Sequence, residues 1–358
     1  MKIKIGRKEL KGKLPMLKKV AGSKASLSIL THSLLEVKDD GIFIIATNLE
    51  TGMCIKLRNV EVHEKGQVVL DHAMLLKIAT NVNSEYLEVE TGDDCAHVHA
   101  GTYKAKMPIN FTPEDFPKMP DMPEDCMKPI LKSEFLEAVG KVMHALPSDA
   151  YYANVRFNGV YVGKDVVAMD GHRMAVVRKD FGLGNILVPK DFMDNLQWLE
   201  DEEGDEIKVT VNKGTIVFEC GDIILFGRLI EGEYPDYESI VSDETTKTVV
   251  FERRELARTI KMLKAVGSFS RIVIEFGDGD MGSVNIRSFD NSGVGTNEIP
   301  VTYIGNESLA IAFNGKYLLD MLNVGNGKEE FVVKMSDNRS VVIVEEEDAV
   351  FCIMPMSL

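Results

Sequence analysis

Cys95, His97 and His99 alternate along the chain, and that spacing sets all three on one face of a β-strand. A thiolate and two imidazoles suit zinc, but no fourth ligand follows nearby, so chance alternation on a hairpin is the stronger reading. Asp170 and His172 with a serine elsewhere would make a hydrolytic triad, yet no GxSxG elbow presents such a serine. A hydrogen-bonded Asp-Gly-His turn is the simpler account, and a cytosolic hydrolase using Asp170 and His172 is the enzymatic alternative. Gly277, Gly279 and Gly282 satisfy GxGxxG, which holds a dinucleotide only between a strand and a helix. Here RIVIEF precedes and SVNIRSF follows, so two strands and a hairpin turn are expected, and Asp278 and Asp280 lack the later ligands of a calcium loop. The expectation is a protein without catalytic residues, metal or organic cofactor.

Charge carries more information. The 358 residues have a formal charge of −15, which by itself speaks against nucleic acid. The distribution is uneven: Arg7, Lys8, Lys11, Lys13, Lys18, Lys19 and Lys24 face the single acid Glu9, and Arg253, Arg254, Arg258, Lys261 and Lys264 face only Glu255. Acids collect in Glu200 to Glu206 and Glu345 to Asp348, so a molecule with one basic surface is a reading that competes with ordinary solvated helix faces. Five cysteines, an odd number without a CxxC pair, read as reduced thiols. With no apolar run long enough for a bilayer and a lysine-studded N-terminus, a cytoplasmic protein without membrane contact is expected.

The elements that must position these residues repeat three times. Apolar residues fall at helical spacing from Leu10, from Phe135 and from Leu256, anchors separated by roughly 120 residues, the size of a small domain. Strand patterns such as Ile42 to Thr47 and Val160 to Met169 follow, then second helices beginning near Asp71, Pro189 and Asn314. Asp71 and Asn314 suit a cap, and Pro189 suits a first turn. Each copy continues into an alternating hairpin: YLEVETGDDCAHVHA, IKVTVNKGTIVFE, EFVVKMSDNRSVVIVE. The first two copies close on Phe116-Pro117 and Tyr234-Pro235. The fold class is therefore α+β, three domains with helices on one face of antiparallel sheets, at 1–124, 125–246 and 247–358.

Six stretches carry a resemblance along the whole chain: ATNLETG (Ala46 to Gly52), FNGV (Phe157 to Val160), AMDGHRMAV (Ala168 to Val176), RLIEGEYPDY (Arg228 to Tyr237), FNGKYLLDML (Phe313 to Leu322) and MPMSL (Met354 to Leu358). In this order and spacing the sequence resembles the bacterial beta-type DNA sliding clamps, the DNA polymerase III beta subunits. The resemblance implies three clamp domains per chain and a head-to-tail homodimeric ring around duplex DNA, a processivity factor and not an enzyme. It implies sequence-independent attraction of phosphates by Lys24, whose position in the family touches DNA, and by Arg7, Lys11, Lys18, Arg254, Arg258 and Lys261, with the middle helix near neutral.

It also implies a hydrophobic groove for short peptides of the replicative polymerase, the clamp loader and other clamp-binding proteins. Matched residue by residue, the groove would consist of Phe157, Gly171, His172, Arg173, Met174, Pro235, Ile240, Cys352, Ile353, Met354, Pro355, Met356 and Leu358. Met169 stands where the family commonly has threonine, and Ser239 and Ser357 stand where basic residues are frequent, so a different peptide preference is expected. The alternative within the binding class is a monomeric, non-encircling scaffold that keeps the groove.

Overall fold

The computed structural model describes residues 1–22, 27–120, 127–148, 155–241, 245–265, 271–277, 282–290, 293–305, 307–324 and 328–358. Its helices are α1 (Arg7–Lys18), α2 (His72–Asn81), α3 (Lys132–Val142), α4 (Lys190–Met193), α5 (Glu238–Val241), α6 (Arg253–Leu263) and α7 (Gly315–Val324). The three anchors head the expected helices: Leu10, Leu14 and Leu17 are buried on α1, Phe135, Val139 and Val142 on α3, and Leu256, Ile260 and Leu263 on α6. α1 contains Gly12 and Pro15, and Pro15 withholds the N–H that would bond the carbonyl of Lys11. Burial overrides that poor propensity, since each fully buried leucine contributes about 1.5–3 kcal/mol.

The second helices start as their caps dictate. The Asp71 carboxylate accepts the Met74 N–H at 2.7 Å ahead of α2, and the Asn314 side-chain oxygen accepts the N–H groups of Lys316 and Tyr317 at 3.0 and 3.3 Å at the start of α7. Pro189 differs from its expected place: it ends the strand Ile186–Pro189, and α4 begins after it as a single turn followed by a 3-10 turn at Leu196–Leu199.

The described strands pair antiparallel and the chain packs as two compact units, Met1–Ser133 with Asp191–Leu229, and Glu134–Lys190 with Ile230–Leu358. The first unit holds a five-stranded sheet in the order Val60–Glu64, Lys2–Gly6, Tyr86–Thr91, Cys95–Ala100, Tyr103–Pro108. It also holds an eight-stranded sheet in the order Lys128–Leu131, Glu206–Asn212, Thr215–Cys220, Ile223–Arg228, Thr51–Leu57, Gly41–Thr47, His32–Lys38, Gln67–Asp71. The second unit holds twelve strands in the order Ile186–Pro189, Gly159–Val162, Val166–Met169, Arg173–Val177, Ala349–Ile353, Val342–Glu345, Glu330–Met335, Lys247–Glu252, Gly293–Ile304, Ser283–Asp290, Ile272–Phe276, Leu309–Phe313.

Three copies thus become two packing units, because the middle copy divides its strands. Ile223–Arg228 pairs with Thr51–Leu57 of the first copy, and Arg173–Val177 pairs with Ala349–Ile353 of the third. An open strand edge leaves N–H and C=O groups without partners, and pairing across copies satisfies them. The hairpins form as spaced; between Asn212 and Thr215, Lys213 and Gly214 both take positive φ, 47° and 76°, the two-residue turn that matches strand twist.

The ATNLETG stretch is a turn with a packing demand. Asn48 Oδ1 accepts the N–H groups of Glu50 and Thr51, and Gly52 lies opposite Phe226 on the adjoining strand. A Cβ on Gly52 would stand 2.0 Å from Phe226 Cζ. Gly52→Ala is expected to lower stability by about 1–3 kcal/mol in urea unfolding, with part of the loss recovered on adding Phe226→Leu.

Candidate functional site

The AMDGHRMAV stretch makes the strands Val166–Met169 and Arg173–Val177 and the turn between them. Gly171 takes φ 84°, which glycine adopts without strain, and Asp170 Oδ1 accepts the N–H groups of His172 and Arg173 at 2.9 and 3.0 Å. Asp170 Oδ2 accepts Arg173 Nε at 3.0 Å, and Arg173 donates a second bond, at 2.8 Å, to Asp320 of α7. The guanidinium lies 4.0 Å from the centre of the Tyr317 ring, also on α7. Arg173 and Asp170 are both buried, so one cation and two carboxylates fix this turn against α7.

Register brings the chain terminus beside the turn. Arg173 pairs with Ile353 and Met174 with Cys352, and Met354 N–H then donates to the carbonyl of His172 at 2.8 Å. At that junction lies an open cavity of about 530 Å³ lined by Met169, Gly171, His172, Arg173, Met174, Ser239, Ile240, Ser340, Val341, Cys352, Ile353 and Met354. Its floor belongs to a buried apolar cluster that includes Val176, Tyr237, Val350 and Ile343, with Phe157, Tyr161, Tyr234 and Ile240 packed against it. Tyr161 and Tyr234 stack at 5.0 Å, and the Tyr237 hydroxyl donates to Asp165 at 2.8 Å, which anchors the segment leading into α5.

Of the expected groove residues, Gly171, His172, Arg173, Met174, Ile240, Cys352, Ile353 and Met354 line this cavity. Phe157 stands at the edge of its apolar cluster, and Pro235 is half-buried between Tyr234 and Tyr237. Pro355, Met356 and Leu358 do not line it. Met356 N–H donates to the Ala312 carbonyl at 2.7 Å, which turns the chain end toward the strand Leu309–Phe313, and Leu358 is 58% exposed. Met169 and Ser239 line the cavity in place of the threonine and basic residue expected of the family. Ser340 and Val341 reach it from a turn that reads in sequence only as a hairpin end.

The cations divide by face. Lys11 and Lys18 are exposed on α1, where Arg7 is half-buried; Arg254, Arg258 and Lys261 are exposed on α6, with Arg258 bonded to Glu255 at 2.7 Å. Arg7, Lys11 and Lys18 stand at i, i+4 and i+11, and Arg254, Arg258 and Lys261 at i, i+4 and i+7, each the spacing of one helix stripe. Lys24 lies outside the described residues.

The acidic runs are less segregated than the sequence suggested, since Glu202 pairs with Lys13, and Glu346 with Arg253. Arg253 is accordingly no surface cation: it is buried and donates to the carbonyls of Leu322 and Lys328 as well. On α3, Lys132 donates to the Glu202 carbonyl, and Lys141 is buried with Glu137 and Asp348, which leaves that helix near neutral.

Asp170 is committed to Arg173 and to backbone amides, not to an imidazole. The strands Ile272–Phe276 and Ser283–Asp290 pair antiparallel, and residues 278–281 between them lie outside the described residues. Cys95 Sγ stands 3.6 Å from His97 Nε2, and among the described residues no three His, Cys, Asp or Glu gather as a metal site.

Triplicated sheet-and-helix domains with an apolar cavity beside the chain terminus define a clamp-fold protein. Family models of the DNA polymerase III beta subunit match in series: the N-terminal domain over residues 1–120, the central domain over 131–236 and the C-terminal domain over 238–357. The beta sliding clamp of Chlamydia pneumoniae is 25% identical over 380 residues, covering 100% of this chain and 99% of that protein. That of Vibrio cholerae is 24% identical over 373 residues, covering 100% of both.

Among solved structures, the Bacillus subtilis sliding clamp superposes with a TM-score of 0.90 at 18% identity, covering 100% of this chain and 99% of that one. The Pseudomonas aeruginosa clamp bound to griselimycin superposes at 0.88 and 23% identity, covering 100% of both chains. The chain belongs to the DNA polymerase III beta subunit family, and sliding-clamp function in DNA replication comes with that membership. The family is one of processivity factors.

His144, in the turn after α3, packs against Phe351 at 5.7 Å between ring centres. Burial, and secondarily the Arg173 cation, hold its imidazole down to about 4 from an ordinary 6.5. The unfolded chain therefore binds the extra proton between these values, so stability is full above pH 6.5 and falls as pH drops toward 4, by roughly 3 kcal/mol. Urea midpoints measured across that window should show this slope in the parent protein, and a shallower one in His144→Phe.

Proposed function

We propose that two copies of this chain close head to tail into a ring around duplex DNA and tether a polymerase through the cavity at Met174 and Met354. The observation that carries this reading is the apolar cavity at the end of the Arg173–Val177 and Ala349–Ile353 pair, in a chain whose family is that of sliding clamps. A cavity of about 530 Å³ with methionines 169, 174 and 354 in its walls suits a few apolar side chains of an extended peptide, and methionine repacks for different partners. The peptides are those of the replicative polymerase, the clamp loader and other clamp-binding proteins, and the protein works in the cytoplasm. The bound polymerase stays near its template through raised effective concentration, and the chain itself makes and breaks no bond.

Two open strand edges support the dimer. Tyr103–Pro108 ends the five-stranded sheet with Tyr103, Lys104 and Lys106 exposed, and Gly293–Glu298 pairs on one side only, with Ser283–Asp290, among the described strands. Edge against edge, one from each copy, continues the sheet and repeats head to tail, so two copies close when the arc of each supplies half a turn. The exposed stripes of α1 and α6, with Lys24, then attract phosphates without reading bases, and the domain limits are read at 1–124, 125–246 and 247–358.

The ring is tested on nicked circular DNA after loading: protein should stay on the circle and leave when it is linearised, whereas equal retention on both forms would leave only ordinary DNA binding. Sedimentation at micromolar concentration should give twice the chain mass, and a single-chain mass would favour the scaffold. Removing Met354 to Leu358 should abolish binding of a polymerase-derived peptide while the dimer persists, because the strand edges assigned to the dimer lie elsewhere; unchanged affinity would overturn the groove.

A further inference from the structure

We propose that the first packing unit contains a second site built like the cavity at Met174, and that the Phe226 side chain fills it, so that each chain offers one open groove. The proposal rests on reading that cavity as a peptide groove. Its ground is a turn and a strand crossing that the chain makes twice.

Asn48 Oδ1 accepts the N–H groups of Glu50 and Thr51 at 3.0 and 2.7 Å, as Asp170 Oδ1 accepts those of His172 and Arg173 at 2.9 and 3.0 Å. Inside these turns Leu49 takes φ 76° where Gly171 takes 84°. A leucine enters that region at a steric cost, so the surroundings hold the turn in the shape that glycine adopts freely at the other site. The neighbouring strand meets both turns alike. Arg228 N–H donates to the Glu50 carbonyl at 2.8 Å, as Met354 N–H donates to the His172 carbonyl at 2.8 Å. In this register Gly52 opposite Phe226 corresponds to Met174 opposite Cys352.

The apolar floors correspond as well. Ile45, Cys54, Val217 and Phe226 share one buried cluster, in the places that Val167, Val176, Ile343 and Cys352 hold in the other. The difference is the pair beside the turn. Met174 and Cys352 line an open cavity. A Cβ on Gly52 would stand 2.0 Å from Phe226 Cζ, so the benzyl ring lies over Gly52, and Phe226 is 6% exposed. Phe116 belongs to the same cluster and Met119 packs against it, an apolar setting that a ring fills well. An intramolecular ring gives up no translational freedom on docking, so it outcompetes an apolar anchor arriving from solution.

The test uses the full chain and a polymerase-derived peptide, with sites per chain counted by isothermal titration calorimetry. Gly52→Met combined with Phe226→Cys installs the open cavity's own pair at nearly constant side-chain volume. Phe226→Val, a milder truncation, takes its place if urea unfolding shows that the exchange does not fold. The variant should bind two peptides per chain where the parent binds one, and should still bind one after removal of Met354 to Leu358, which leaves the parent with none. Phe218→Val loosens the same sheet at the edge-on contact with Phe192, away from the turn, and should stay at one. A count that stays at one in the folded variant, or that rises equally in Phe218→Val, overturns the proposal and leaves the groove standing. If the parent binds no peptide, or binds it equally without Met354 to Leu358, the groove reading falls and the second site with it.

Discussion

Backbone pairing across the copies is the constraint on which the rest depends. A strand edge inside a packed protein must give its N–H and C=O groups partners, and here each half of the middle copy finds them on a neighbouring copy: Met53 opposite Leu225, and Ala175 opposite Phe351. The second of these registers builds the site. It delivers the turn at Asp170 and the chain terminus at Met354 to one place, and a slip by one residue would turn every side chain to the other face of the sheet.

The Arg173 cluster then converts register into a defined wall. A buried guanidinium held by two carboxylates and laid over Tyr317 is costly to desolvate and adds little net stability, but it admits few alternative geometries. The turn is held against α7 while the apolar wall of methionines stays adaptable, a combination suited to recognising short segments from several proteins. Electrically, the same cluster neutralises the cation in the cavity wall.

A similar division runs through the basic helices. Arg253 and Lys13 look in sequence like members of one cationic surface, yet each is neutralised by an acid from a distant run, Glu346 or Glu202. The cations left in solvent are Lys8, Lys11 and Lys18 on α1 and Arg254, Arg258 and Lys261 on α6. Any long-range field from these helices therefore depends on fewer side chains than the basic runs contain.

Local pattern was enough for the repeat. Helical spacing from Leu10, Phe135 and Leu256, caps at Asp71 and Asn314 and the Asn-Lys-Gly turn at 212–214 are short-range consequences of residue type, so all were legible in the sequence, as was the Asp-Gly-His turn. The eight groove residues that line the cavity were legible through resemblance. What the sequence could not show is which strand edges join: that the middle copy is divided between two packing units, that Ser340 and Val341 complete the cavity, that Met356 turns away to Ala312, and that Arg253 is buried. Each depends on contacts between residues far apart in the chain, and those are set by packing and register, which leave no periodic trace in the segments that meet.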